Sequence, residues 1–336
     1  MRLRTVSPGS VGWTRRRSGA GFVYLDEHGD RLDPEHVARI KALVIPPAWQ
    51  DVWITPYHNG HIQAVGTDAR GRRQYLYHEQ WRVKRDLAKH DRVLEVAQRL
   101  PKARLAVAEA LDLPGMPAER ALATAFRLLD LGYFRIGSDS YASENGSYGL
   151  TTLLRSHVRR RGPELVFEFI AKSGKQQHIA ITDPSVLTSI DVMRRRRDTD
   201  EILLAYKEKR SWSRIDAGSV NEYLKDLLGT EVTAKDFRTW HGTVHAAAAL
   251  GMLAVDTRPS DRARRRAVAA AMVQVSEHLG NTPSVARKSY VDARVVDLFH
   301  SGNTIAQALA RLDKLAEDDP RRQLSLEKAV LKLLRT

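Results

Sequence analysis

Arginine, lysine and tyrosine recur in four short stretches of this sequence. They are Tyr133-Phe-Arg-Ile-Gly137, Phe169-Ile-Ala-Lys172, Thr233-Ala-Lys-Asp-Phe-Arg238 and Gly280-Asn-Thr-Pro-Ser-Val-Ala-Arg-Lys-Ser-Tyr290. Side chains of these types suit one task, holding a phosphodiester while a tyrosine attacks it. The transition state of phosphoryl transfer carries spread negative charge, and fixed Arg or Lys donors stabilise it without a metal.

Other chemistries find less support. Neither a P-loop nor a glycine-rich dinucleotide fingerprint occurs, and Gly174-Lys175 lacks the upstream glycine of a phosphate loop, so no ATP or other cofactor is expected. His241 and His245 are spaced to share a helix face, yet no Glu follows His241 and no third ligand is implied, so no metal is expected. The absence of cysteine excludes disulfides, thiolate metal sites and a cysteine nucleophile, and fits a reducing cytoplasm.

The balance of charge points to the partner. Fifty-four Lys and Arg against 40 Asp and Glu leave +14 over 336 residues, an excess that attracts DNA, RNA or an anionic membrane surface. No membrane span is expected, because the longest apolar run, Ala246 to Val255, is well short of the roughly 20 residues a span needs. Arg15, Arg16 and Arg17 precede an apolar segment that stops at Asp26, too short for an export signal. These features predict a cytoplasmic protein.

The elements that must position the four stretches fall into two domains, as the length suggests. Residues 1–90 alternate short strand-like runs with turn residues: Gly21 to Leu25, Val52 to Thr55, His61 to Val65 and Gln74 to Tyr77, with one helix near Pro34 to Leu43. Residues 91–336 are mainly helical, with the helical period setting in from about Val93. An apolar stripe of Leu122, Phe126, Leu129 and Tyr133 predicts a helix ending near Gly137. A β-hairpin interrupts this half, formed by Glu164 to Ala171 and Gln177 to Ile181 around Ser173 and Gly174, with Lys172 at its tip. Further helices are predicted over Asp216 to Leu228, from Thr233 with its Thr-x-x-Asp236 cap, and from Thr282 with Pro283 in the first turn. Leu312, Leu315 and Leu326 to Leu334 read as one or two more.

With these residues in place, the chain resembles the type IB DNA topoisomerases, in particular the compact bacterial branch that is similar to the poxvirus enzymes. The resemblance implies an α+β architecture, a small strand-rich N-terminal DNA-binding domain and a larger, mostly helical catalytic domain, closing as a clamp around duplex DNA. Arg135 matches the first catalytic arginine, Lys172 the hairpin lysine, Arg238 the second arginine and Tyr290 the nucleophile. Gly66 to Tyr77 is similar to a DNA-contacting hairpin, which makes Arg70, Arg72, Arg73, Gln74, Tyr75 and Tyr77 candidate DNA contacts, with Lys235 a further one. Asn281 stands where the poxvirus and eukaryotic members carry His, and His278 lies three residues upstream as a competitor.

The implied activity is relaxation of supercoiled DNA through a 3′-phosphotyrosyl link, by a monomer without ATP or metal, in the cytoplasm on the nucleoid. Two alternatives stay open. A tyrosine recombinase would share the fold and nucleophile, although such enzymes usually carry His where Lys235 stands. A basic DNA-binding module would have no activity at all. Taken singly, each residue also has a plainer reading: Arg135 and Arg238 as surface ion pairs, Tyr290 as half-buried packing, Lys172 as a solvated tip. On the same plain terms Arg194 to Arg197 is a solvated or phosphate-facing helix end, and Arg70, Arg72 and Arg73 belong to a charged edge strand. DNA sequence preference, cleavage of RNA and the contacts of residues 304–336 are not legible.

Overall fold

A computed structural model describes residues 1–229, 231–253, 260–316, 319 and 321–335. Ala254 and Val255, the end of the long apolar run, lie outside the described residues. The chain separates into two compact units, Met1–Lys89 and His90–Thr336. Helices and antiparallel sheets of five, three and two strands make the fold a mixed one.

The first unit holds β1 (Trp13–Ser18), β2 (Gly21–Leu25), α1 (Pro34–Ala42), β3 (Gln50–Ile54), β4 (Ile62–Thr67) and β5 (Arg73–Tyr77). The strands pair in the order β2-β1-β3-β4-β5, leaving β5 at an edge. Trp13, Tyr24, Val52, Ile54 and Ala64 bury against Ile40 and Ile45. Asp33 caps α1 by accepting from the His36 amide at 2.9 Å, and Pro34 opens its first turn. β1 is the strand that the sequence pattern does not announce. Its Arg15 is half-buried and donates to the carbonyls of Ile45, Pro46 and Trp49 at 3.2, 3.0 and 2.7 Å, tying the strand to the segment between α1 and β3.

α2 (Glu79–Leu111) begins well before Val93. Between Arg82 and Ala88 every residue is exposed, so this part of the helix has no apolar stripe for a periodicity argument to find. The stripe begins at His90 and runs through Val93, Leu94, Val96, Ala97, Leu100, Ala103 and Val107.

The rest of the second unit follows as α3 (Ala118–Gly132), α4 (Asp139–Asn145), β6 (Val158–Arg161), β7 (Glu164–Ala171), β8 (Lys175–Ile181), α5 (Pro184–Arg194), β9 (Ala205–Glu208), β10 (Ser211–Arg214) and α6 (Ala217–Leu228). It ends with α7 (Ala234–Leu253), α8 (Asp261–Leu279), α9 (Pro283–Ser289), α10 (Ala293–His300), α11 (Ala306–Leu312) and α12 (Arg321–Leu333). The predicted hairpin is the β7–β8 pair, closed by Ala171 opposite Lys175 and turned by Ser173 and Gly174 at φ 68° and 70°. β6 adds a third strand.

Two readings of this unit are corrected. α3 stops at Gly132 rather than near Gly137, because Tyr133 takes a left-handed backbone with φ 53° and ψ 32° and breaks the helical path. Arg196 is not part of a solvated helix end. It is buried to 6% exposure and donates to the carbonyls of Met193, Leu203 and Asp200 at 3.2, 2.8 and 3.1 Å, and to that of Ile202, closing the loop between α5 and β9.

A buried ion network ties four helices of this unit together. Arg104 of α2 donates to Asp130 of α3 through Nε and Nη2, both at 2.8 Å, and to Glu327 of α12 through Nη1 and Nη2 at 2.7 and 2.8 Å. His241 of α7 reaches the same Asp130 at 3.1 Å. Burial alone would raise the Asp130 carboxyl, but the hydrogen bonds from His241 and Arg104 outweigh it and hold it well below the usual range. The C-terminal helix, whose contacts the sequence does not disclose, is thus docked by Glu327. Removing one partner of a buried pair costs about 3–5 kcal/mol, and Arg104 keeps Asp130, so Glu327→Ala should lower stability by about 3 kcal/mol in urea unfolding. A loss under about 1 kcal/mol would show that Asp130 alone compensates Arg104.

Candidate active site

The four chemistry-bearing stretches all lie in the second unit, and three of them meet. Arg135 follows α3 on an extended segment whose backbone pairs with the next loop: Leu150 donates to the Arg135 carbonyl at 2.7 Å and Thr151 to that of Ile136 at 2.8 Å. This pairing requires glycine. A Cβ on Gly149 would stand 2.5 Å from the Gly137 amide nitrogen, and Gly137 itself sits at φ 101°. Arg238 lies in the first turns of α7, which Asp236 caps by accepting from the Thr233 amide at 2.8 Å and from its hydroxyl at 3.0 Å.

Tyr290 ends α9, which opens as expected: the Thr282 hydroxyl accepts from the Val285 amide at 3.3 Å and Pro283 fills the first turn. The close seat of Tyr290 on α7 depends on Gly242, where a Cβ would come 2.9 Å from the Tyr290 carbonyl oxygen. Thr243 Oγ1 accepts from the Asp292 amide at 3.1 Å just beyond, which fixes the junction between α9 and α10.

Arg238 is buried and Arg135 half-buried beside it, with no carboxylate partner for either among the described residues. Arg238, 3% exposed, donates to the Tyr133 carbonyl and, at 2.6 Å, to the Leu279 carbonyl. Arg135 donates to Asn281 Oδ1 and, at 3.4 Å, to the Gly280 carbonyl. Burial and the like charge of Arg135 push Arg238 down to about 10, still far above neutral, so it stays a cation. Arg135 is lowered by burial and partly restored by Tyr290. At this cluster two buried donors, Arg238 Nε and Asn281 Nδ2, find no acceptor among the described residues.

Arg238 Cζ stands 4.9 Å from the centre of the Tyr290 ring. Burial would raise the phenol, but the positive field and hydrogen-bonding reach of Arg238, with Arg135 and Lys235 behind it, outweigh burial and leave Tyr290 below the ordinary 10.0. Tyrosine is a poor nucleophile because so little phenolate exists at neutral pH. A site of this electrostatic shape favours the phenolate and can stabilise the negative charge of a phosphoryl transition state.

The remaining candidates stand apart from this cluster. Lys172 is exposed at the β7–β8 turn, its Nζ 6.0 Å from the Tyr141 ring centre, and makes no hydrogen bond to Arg135, Arg238, Asn281 or Tyr290 among the described residues. The same hairpin does touch the cluster through Lys175, whose Nζ donates to the Asn281 carbonyl at 2.6 Å; sequence reasoning passed over this residue. His278 turns away. Its ring stacks on His245 at 4.3 Å, and Asn281 rather than His278 meets Arg135.

His241 and His245 take separate partners, Asp130 and the Tyr133 hydroxyl, and among the described residues no group of three or more His, Asp or Glu is placed to hold a metal. In the first unit Arg70, Arg73, Tyr75 and Tyr77 are exposed on the β4–β5 hairpin, with the two tyrosine rings stacked 5.9 Å apart. Arg72 and Gln74 both donate to Asp68 Oδ2, at 2.8 and 2.9 Å, and hydrogen bonds from Arg72 hold the Asp68 carboxyl down at about 2.

A tyrosine held between arginines on a helical unit with a small sheet defines a class of phosphoryl-transfer protein, and comparison with known proteins specifies it. Residues 78–316 match the family described as eukaryotic DNA topoisomerase I, catalytic core, and residues 21–68 match the bacterial DNA topoisomerase IB N-terminal domain. The chain is 27% identical over 293 residues to the DNA topoisomerase 1B of Acanthamoeba polyphaga mimivirus, covering 85% of this chain and 87% of that one. It is 23% identical over 242 residues to the vaccinia virus (strain Copenhagen) DNA topoisomerase 1B, covering 71% and 73%. The chain therefore belongs to the type IB DNA topoisomerase family. No helix among the described residues is long and apolar enough to cross a membrane.

The field at Tyr290 can be measured without DNA. In an ultraviolet titration, the wild-type minus Tyr290→Phe difference should show a phenolate forming below the ordinary 10.0, and Arg238→Ala should move that step to higher pH, because burial then acts against fewer cations. An unmoved step in Arg238→Ala would assign the lowering to other groups.

Proposed function

We propose that this protein relaxes supercoiled duplex DNA by transient cleavage of one strand, with Tyr290 as nucleophile. One observation carries the reading: two guanidinium cations, Arg238 buried and Arg135 half-buried, fixed by neutral acceptors and uncompensated by any carboxylate among the described residues, stand beside a tyrosine whose phenol they lower. In the step itself the Tyr290 phenol gives its proton to water and Oη bonds to phosphorus. The bond from phosphorus to the 5′-oxygen breaks, leaving a 3′-phosphotyrosyl link and a 5′-hydroxyl.

Arg135, Arg238 and the Asn281 amide stabilise the non-bridging oxygens, and Lys172 protonates the departing 5′-oxygen. The phosphotyrosine keeps the bond energy, so after strand rotation the 5′-hydroxyl attacks back and reseals without ATP. The cations the step needs are the chain's own side chains, which removes the need for a metal. The two units close on the duplex as a clamp and the protein acts as a monomer. Arg70, Arg72, Arg73, Gln74, Tyr75 and Tyr77 of the β4–β5 hairpin, together with Lys235, contact the DNA. A phosphate then competes with Asp68 for Arg72.

Incubation with negatively supercoiled plasmid in EDTA without ATP should give relaxed topoisomers, and Tyr290→Phe should lose both relaxation and covalent attachment while binding duplex as before. Relaxation also separates this reading from a recombinase needing paired sites and from an inert DNA-binding module. A covalent adduct surviving in Tyr290→Phe would move the nucleophile elsewhere.

Lys172 calls for its own measurement, since the cluster forms without it. Loss of a general acid costs about 10²- to 10⁴-fold, so Lys172→Ala should cleave slowly on normal DNA and recover when the 5′-bridging oxygen is replaced by sulfur, which leaves without a proton. Equal defects on the two substrates would make Lys172 a DNA contact.

A further inference from the structure

The carbonyls that hold the two arginines come from two places in the chain, the cap of α3 at Tyr133 and the end of α8 at Leu279 and Gly280. Both helices leave through a left-handed residue, Tyr133 at φ 53° and Gly280 at φ 59°. Glycine adopts this conformation freely, whereas tyrosine adopts it against steric resistance, so something must hold Tyr133 there. Its ring lies 4.7 Å from the ring of His241 and 5.5 Å from that of His245, both on α7. Its hydroxyl lies 3.1 Å from His245 Nε2. His245 in turn stacks on His278 with centres 4.3 Å apart and planes 24° from parallel. His278 sits in the last turn of α8, two residues before Gly280.

We propose that Tyr133, His245 and His278 form a strut across the back of the site, with His245 the positioning residue at its centre. The strut joins the same two backbone segments whose carbonyls hold Arg135 and Arg238, and it crosses α7 two turns beyond Arg238 itself. Two adjacent cations repel, and the carbonyls that hold them apart are only as rigid as the segments bearing them. Protonation favours a lasting hydrogen bond. Burial, then the nearby charge of Asp130, pushes the Tyr133 phenol up to about 12, while burial, His278 and His241 push His245 down to about 3. Near neutral pH the phenol O–H therefore donates to a neutral Nε2. The groups facing this ring are His278 from α8, His241 on its own helix and Tyr133 from the α3 cap, with Asp130 behind His241.

The inference rests on Arg135, Arg238 and Tyr290 being the strand-transfer site. Misplacement of a catalytic group by about 1 Å costs on the order of 10²-fold in rate. His245→Phe keeps a ring on α7 but removes the acceptor. It should slow single-turnover cleavage by roughly 10- to 100-fold, leave duplex affinity within about twofold, and move the Tyr290 phenol titration toward higher pH. Tyr133→Phe removes only the hydroxyl, should act in the same direction, and answers the question if His245→Phe does not fold. The double variant Tyr133→Phe/His245→Phe replaces both polar partners, which can be nearly neutral for stability, yet it should keep the cleavage defect.

Normal cleavage in both single variants would overturn the strut. So would a cleavage rate that recovers together with thermal stability in the double variant, since His245 would then be core packing alone. Tyr290→Phe run in parallel distinguishes the failures. If it still attaches to DNA, the reading of the site falls, and if it is inert while His245→Phe and Tyr133→Phe cleave normally, only the strut falls.

Discussion

Placing two guanidinium cations side by side, one buried and the other half-buried, is the constraint around which the second unit is built. Like charges a few ångströms apart repel, and burial removes the solvent that would screen them. The usual remedy is a carboxylate, and the chain has carboxylates close at hand. Asp130 lies five residues before Arg135 and Asp236 two before Arg238. Both are engaged elsewhere: Asp130 by Arg104, Arg127 and His241, and Asp236 by Arg92 and the Thr233 cap. Arg135 and Arg238 meet carbonyl and amide oxygens instead. Neutral acceptors fix direction without cancelling charge, so the field stays available to Tyr290 and to an anion.

That arrangement explains why the surrounding helices are bound so firmly. A collar of backbone carbonyls is only as precise as the chain that presents it, and each segment here is anchored by buried polar contacts. Arg104 and Asp130 hold α3 to α2, Glu327 brings in α12, and His241 brings in α7. Asp292, 3% exposed, caps α10 and is clasped by Arg294, which fixes the chain immediately after Tyr290. Buried ion pairs contribute uncertain stability but strict geometry. For a site that works by electrostatic preorganisation, geometry is the quantity that counts.

What could be read from the sequence divides along the same line. Local signatures were legible: the β7–β8 hairpin from β-rich runs around Ser173-Gly174, the α6 and α9 starts from Asp216 and Thr282, and α1 near Pro34 to Leu43. The four chemistry-bearing stretches were legible because each is short and ordered along the chain. Polar burial was not. Arg196 beyond α5 reads as part of a solvated or phosphate-facing helix end and proves to be a buried donor to carbonyls, and Arg15 in β1, half-buried, is a carbonyl donor as well. The first turns of α2 escaped for the opposite reason, since a helical segment exposed on all sides has no period to detect. Tyr133 looked like the last apolar residue of α3 and is its left-handed cap, held by its ring contacts, its hydroxyl and its carbonyl, none of which a linear reading shows.

The same reasoning bears on why an asparagine can stand at position 281. A histidine at such a position offers both a proton and a hydrogen bond, whereas an amide offers only the hydrogen bond. Asn281 has its oxygen turned to Arg135, which leaves the amide nitrogen as a donor, buried and unpaired. A buried donor without an acceptor is unfavourable in the free protein. Arg238 Nε is in the same condition. In the proposed strand transfer an incoming phosphate would supply acceptors, and donors aimed at charge that develops during transfer gain most at the transition state. His278, stacked on His245, sits two residues before Gly280 on the segment that carries Asn281, so in the proposed strut and strand transfer the histidine braces the chain and the amide meets the charge.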